Sequence, residues 1–184
     1  ATLTVTGTIR PHGDGRRATI TLDDGTMLTV KIRAFQRRKL TPDLIGKRLE
    51  LHLWPRTDEQ GFILGNTQLY KWREATETVN RFKITGRLVR RKKNLSRAVI
   101  LIRRNQQGNL TREFTLETHL SENVITELPK ALPPGVRDHY GVTLEGFVVN
   151  GHLVAVADER TRLATPKPLK ERRDSYRPRP VRAA

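Results

Sequence analysis

Apolar and polar residues alternate along the start of the chain. Leu3, Val5, Gly7 and Ile9 interleave with Thr4, Thr6, Thr8 and Arg10, the period of a half-buried strand and not of a helix. Ala18, Ile20 and Leu22 interleave with Thr19, Thr21 and Asp23. Asp24-Gly25 then supplies a hairpin turn before Leu28, Val30 and Ile32, whose neighbours Thr29, Lys31 and Arg33 face the other way. These segments predict a three-strand meander. After the connector AFQRRKLTPDLIG, Leu49, Leu51 and Leu53 alternate with Glu50, His52 and Trp54. A turn at Asp58 to Gly61 leads into a predicted last strand running from Phe62 toward Tyr70, which makes five.

The pattern recurs. VTGTIR at Val5 is echoed by ITGRLV at Ile84, with Gly7 and Gly86 set 79 positions apart, and RATITL at Arg17 by RAVILI at Arg97, with Ala18 and Ala98 set 80 apart. GKRLEL at Gly46 matches GVTLEG at Gly141, and GFILGN at Gly61 matches GHLVAV at Gly151. Four blocks in the same order predict two copies of one small fold, with the variable spacing absorbed in loops. In the second copy the connector is HLSENVITELPKALPPGVRDHYG. There Ser121 is placed to cap a short helix whose Val124, Ile125 and Leu128 share a face, and Pro129 and Pro133-Pro134 end it.

Three meandering strands, a helix or loop, then two more strands is an order that resembles the oligonucleotide/oligosaccharide-binding (OB) fold, here as a tandem across residues 2–160. An SH3-like barrel also uses five short strands, but the helix position in the second copy counts against it. The expected fold class is therefore all-β with a short helix, as two OB-like barrels over 1–73 and 82–160, a linker at 74–81 and a basic tail at 161–184. The resemblance implies that ligands bind on the surface of strands 2 and 3 and on the loops joining strands 1–2 and 4–5.

Charge narrows the ligand. Lys and Arg number 35 against 19 acids in 184 residues, a net +16 and an isoelectric point near 11.1, so the surface attracts polyanions. The cations are clustered. Arg90, Arg91, Lys92, Lys93 and Arg97 fall on the predicted strand 1–2 loop of the second copy, with Arg103 and Arg104 beyond it, while the equivalent RPHGDGRR of the first copy is less charged. Concentrating like charge in a hairpin costs self-repulsion, and neutralising phosphates with release of their counterions offsets it. A second cluster, Arg33, Arg37, Arg38 and Lys39, surrounds Phe35, the mixture of cations and an aromatic that a base-stacking surface uses. Trp54, outward by parity, is a further candidate platform; Tyr70 and Trp72 equally suit closing a barrel or filling space between the copies.

Val89, Val99 and Leu101 stand where the first copy has Thr8, Thr19 and Thr21, so the second copy has an apolar outer patch that requires a cover, either the first copy or a partner protein. From Thr161 the chain carries eight Lys or Arg, among them Arg172, Arg173, Arg177 and Arg179, against Glu171 and Asp174, with four prolines. That segment is expected to be disordered alone and to order on RNA. It is not the acidic tail through which bacterial single-strand-binding proteins recruit repair proteins, so the resemblance to them covers the barrels only.

No cysteine is present, and His12, His52, His119, His139 and His152 show no metal-ligand spacing. No phosphate-cradling glycine loop or nucleophile elbow occurs, and Asp23-Asp24-Gly25 reads as a turn. No apolar run approaches the ~18 residues of a membrane span. The expectation is a cytoplasmic, non-enzymatic nucleic-acid-binding protein without a cofactor, metal or small-molecule substrate, with RNA favoured over DNA. The alternative is an assembly subunit of a larger ribonucleoprotein complex that docks through Val89, Val99 and Leu101. Replacing Arg90, Arg91, Lys92 and Lys93 together by Ser is expected to weaken nucleic-acid binding and flatten its salt dependence, as measured by fluorescence anisotropy titrations at several salt concentrations.

Overall fold

The computed structural model describes residues 1–91, 96–103, 112–127, 141–156 and 162–163, with backbone alone at 90, 91, 126, 127, 162 and 163. The first half holds strands β1 (Thr2–Pro11), β2 (Arg17–Leu22) and β3 (Met27–Lys31), a short helix α1 (Ala34–Arg37), a 3-10 turn (Pro42–Leu44), β4 (Arg48–Trp54) and β5 (Gln68–Glu74). The second half holds β6 (Asn80–Arg91), β7 (Arg97–Ile102), β8 (Phe114–Leu120), α2 (Glu122–Glu127), β9 (Gly141–Val149), β10 (His152–Ala155) and the two-residue β11 (Arg162–Leu163). The molecule is mostly β, and among the described residues no helix is long and apolar enough to cross a membrane.

Pairing follows one scheme in each half. β1 pairs antiparallel with β2 and with β4, β2 with β3, and β4 with β5, while β3 and β5 meet in parallel at Lys31 and Gln68. β6 likewise pairs with β7 and with β9, β7 with β8, and β9 with β10, while β8 and β10 are parallel. Each circuit therefore returns to its first strand and leaves that strand no free edge. The alternating apolar residues turn inward: Leu3, Val5, Ile9, Ala18, Ile20, Val30, Leu49, Leu51 and Leu53 are buried in the first half, as are Ile84, Leu88, Ala98, Ile100, Leu116, Leu144 and Leu153 in the second.

The one-residue difference between the two repeat spacings has a structural cause. Leu88 faces Ile100 but Arg90 faces Val99, so Val89 is an extra residue, a β-bulge that β1 lacks in its pairing with β2. Gly7 and Gly86, 79 positions apart, precede the bulge; Ala18 and Ala98, 80 apart, follow it. Both glycines are needed for close approach: a Cβ on Gly7 would lie 2.3 Å from the carbonyl oxygen of Thr21, and one on Gly86 2.7 Å from that of Leu101.

Other expectations are corrected. The last strand of the first half begins at Gln68 and not at Phe62; Phe62 and Ile63 make only isolated bridges. Gly61, at φ +87°, breaks the extended chain there, so GFILGN is a turn segment and its sequence match to β10 does not pair equivalent positions. The third block is out of step by two residues: the ladder sets Leu51 opposite Val5 and Leu144 opposite Ile84, a spacing of 93 where the sequence match has 95. Side-chain parity survives such a slip, which is why alternation alone does not detect it. Ser121 does not cap α2 with its hydroxyl, which has no hydrogen-bond partner; its carbonyl accepts the N–H of Ile125 at 3.0 Å. Leu128 and the prolines beyond it lie outside the described residues.

The halves are joined twice. Thr2–Val5 of β1 pairs with Asn80–Lys83 of β6, and residues 75–79 lie between β5 and β6. Thr6 accepts the N–H of Val79 in its side chain at 3.1 Å, and the Asn80 amide both donates to and accepts from the backbone of Val148 at 2.9 Å. The second joint is residues 55–67. Thr57 Oγ1 accepts the N–H of Glu117 at 2.7 Å, Gln60 O accepts from His119 Nε2 at 2.9 Å, and Ile63 N donates to Gly151 O at 2.9 Å. Arg56 lies over the ring of Phe114. Gly7→Ala is expected to force β1 and β2 apart and to lower stability by about 2 kcal/mol, read as a reduced urea midpoint at an unchanged m-value.

Candidate nucleic-acid interface

The outer surface of β1, β2 and β3 is built in rows by the ladder register. Thr8, Thr21 and Met27 form one row, Arg10, Thr19 and Thr29 the next, and Arg17 faces Lys31 at the far end. Arg10, Arg17 and Lys31 are exposed. Two cations directly opposed on neighbouring strands destabilise a sheet, so Arg17 and Lys31 carry a cost that an anion would relieve. Asp14 in the β1–β2 turn does not relieve it by a salt bridge: its Oδ1 accepts the backbone N–H of Arg16 at 2.9 Å and of Arg17 at 3.2 Å. Those bonds, the Arg16 one above all, hold its carboxyl below the usual aspartate range.

The connector after β3 adds to this edge. Gln36 is buried, accepts the N–H of Arg33 at 2.9 Å and donates to the carbonyl of Leu69 at 2.6 Å, which pins α1 to β5. With Gln36 turned inward, Arg33, Phe35, Arg37, Arg38 and Lys39 are left exposed, Phe35 at 53%. The Arg37 guanidinium lies against Gly15, where a Cβ would come within 2.4 Å of its Cζ. The β1–β2 turn and the connector are thus side by side, and Arg37 joins Arg16, Arg17 and Lys31. Salt bridges among the described residues are Arg48–Asp23, Arg73–Glu50 and Lys83–Glu145, and His52 Nε2 lies 2.9 Å from Glu50 Oε1, an ion pair only when the imidazole is protonated, which its burial disfavours; none uses these cations. Parity on strands 1 to 3 already held Arg10 and Lys31 on this face, but Arg17 joins Lys31 only through the β2–β3 register.

Trp54 is half-buried and engaged. Tyr70 stacks on it with centroids 4.8 Å apart and planes at 14°, and Arg33 Cζ lies 5.5 Å from its centroid. Trp72 packs against the core. In the second half, Arg90 and Arg91 belong to β6, opposite Val99 and Ala98, and so sit on a strand and not in a loop. Arg97 donates to the carbonyl of Glu59 at 2.8 Å, in the joint between the halves, and Arg103 is exposed. Lys92, Lys93, Arg104, Arg172, Arg173, Arg177 and Arg179 lie outside the described residues. The three apolar residues do not share one exposed patch: Val89, the bulge residue, is 43% exposed, Leu101 is intermediate and Val99 is buried. The bulge changes the register between Val89 and the other two.

Asp23 and Glu50 of the first half are held by cations of their own. Glu50 is buried and its Oε2 accepts from Arg73 Nη2 at 2.7 Å, which lowers its carboxyl pKa against the opposing effect of burial. A carboxyl depressed in the folded state contributes stability that is complete above its unfolded pKa, near 4.5, and is lost as pH falls through the lower folded value. Arg73→Leu leaves that carboxylate without its cation and is expected to cost about 2 kcal/mol at neutral pH. Urea titrations should show the loss shrinking below pH ~4.5 as Glu50 protonates.

No protein-family model matches the chain, and no curated protein sequence matches it. Among solved structures the chain is similar to a deletion and point mutant of the single-stranded DNA binding protein from Thermus aquaticus. The identity is 17% and the TM-score 0.50, over 92% of this chain and 97% of that one. The wild-type form of that protein gives 18% identity and a TM-score of 0.48, over 91% and 94% of the two chains. At such identity the likeness is one of fold: the chain shares the OB fold of the first of these proteins.

Proposed function

We propose that this protein binds single-stranded nucleic acid without catalysis and with little sequence preference, and that its two pairing circuits are tandem OB-like units. The observation that carries the reading is the row of cations at one end of the β1–β3 face. Arg17 opposes Lys31, Arg37 folds over the adjoining turn, and none is in a salt bridge among the described residues. Threonines line the rest of the face, and an exposed Phe35 stands beside it. Cations track a phosphate backbone, and an aromatic face accepts any base, so binding of this kind tolerates sequence.

The fold comparison supports single-stranded DNA as the first ligand to test, in place of the RNA that charge and tail composition suggest. Arg90, Arg91, Lys92, Lys93, Arg103, Arg104 and the tail arginines extend the basic surface in this proposal. The alternative, assembly through Val89, Val99 and Leu101, draws less support because Val99 is only 6% exposed. The triple variant Arg17→Ser, Lys31→Ser, Arg37→Ser should bind an oligothymidylate more weakly, with a slope of log K against log salt shallower by about two. Matched RNA and DNA competitors in the same anisotropy assay report the preference. An unchanged affinity and slope would remove this face from the interface.

A further inference from the structure

A cleft of about 470 Å³ lies where the two halves meet, at the end of the β2–β3 face away from Lys31. Asp24 and Met27 come from the β2–β3 hairpin, Phe62 and Ile63 from the joint segment, and Asn150 and Gly151 from the turn between β9 and β10. Resting on the nucleic-acid reading above, we infer that this cleft receives a base of the bound strand, stacked on Phe62, and carries the strand from the first half to the second.

Phe62 is 42% exposed and Met27 71%, large apolar groups that a monomer gains nothing by presenting to water. The Phe62 ring is backed by His152, with centroids 3.6 Å apart. Gly151, whose φ of +78° favours glycine, lies against the same ring, within van der Waals contact of Phe62 Cδ1 for a Cβ placed there. A ring supported behind and open in front is a preformed stacking platform, and stacking is indifferent to base identity. Asn150 supplies an amide able to donate to and accept from a base edge. The carboxylate of Asp24, which holds the N–H of Thr26 at 2.8 Å, repels phosphate, so the group that enters is the base while the backbone stays on the cationic side. Met27 ends the Thr8–Thr21–Met27 row, and four residue steps along β3, about 13 Å, separate it from Lys31. Beyond the turn, Phe147 and Val149 of β9 are 48% and 47% exposed and continue an apolar surface on the second half.

The test is photocrosslinking of the full chain to an iodouracil-substituted deoxyoligonucleotide, with the attached peptides mapped by mass spectrometry, alongside affinities of variants. Crosslinks at Phe62 or Met27 are expected. Phe62→Ala should weaken binding roughly tenfold with an unchanged salt slope, and Phe62→Tyr should restore it. Since Phe62 also touches His152, Met27→Glu is the second variant: Met27 supports no core, and a carboxylate there should weaken binding without lowering the thermal midpoint. Crosslinks that avoid both Phe62 and Met27, with both variants binding like the parent, would overturn the cleft and leave the nucleic-acid reading intact. A parent protein that binds no single strand would overturn both.

Discussion

The short ladder between Thr2–Val5 of β1 and Asn80–Lys83 of β6 is the constraint on which the arrangement rests. Each of these strands is long because it serves three neighbours: β1 pairs with β2, β4 and β6, and β6 with β1, β7 and β9. A strand shared in this way ties the closure of one circuit to that of the other. The Asn80 amide extends the logic by occupying a ladder position opposite Val148 that no backbone could reach. The buried side chains of the two halves belong to one cluster, in which Leu3 of β1 sits with Phe82 of β6, and the shared ladder holds the halves on either side of it.

The second joint accounts for a feature otherwise hard to explain, the length of the segment between β4 and β5. Residues 55–67 could be replaced by a two-residue turn, as Asn150-Gly151 is between β9 and β10. Instead they run onto β8 and β10, where Thr57, Gln60 and Ile63 make hydrogen bonds to the second half. Arg97 is spent there as well, on the carbonyl of Glu59. This segment and the first ladder together fix one half against the other, and the cleft at the junction lies at the Met27 end of β3, opposite the end that carries Lys31.

The electrostatic pattern sorts the cations into two kinds. Arg48, Arg73 and Lys83 have carboxylate partners, and these acids are placed to hold strands and connections. Arg17, Lys31 and Arg37 have none among the described residues; the β2–β3 register sets Arg17 opposite Lys31, and Arg37 lies against Gly15 of the adjoining turn. Opposed like charges without a salt bridge among the described residues are a cost to the sheet, and they are the feature on which the proposed anion-binding role rests.

Much of this was legible in the residues. Alternation marked β1 to β4, and the glycine and alanine spacings of 79 and 80 recorded one inserted residue, whose place at Val89 the ladder then fixes. Where alternation failed, at Phe62 to Leu64, positive-φ Gly61 and tertiary contact with the second half overrode an apolar run that read as a strand. The site divides the same way. Clustering of Arg33, Arg37, Arg38 and Lys39 needs only neighbouring positions, but opposing Arg17 to Lys31, covering Val99 and filling the face of Trp54 with Tyr70 each need a register or a packing partner. Local periodicity determines which side of a strand a residue occupies; which residues then meet is decided only when distant strands pair, since a two-residue slip keeps every face and changes every neighbour.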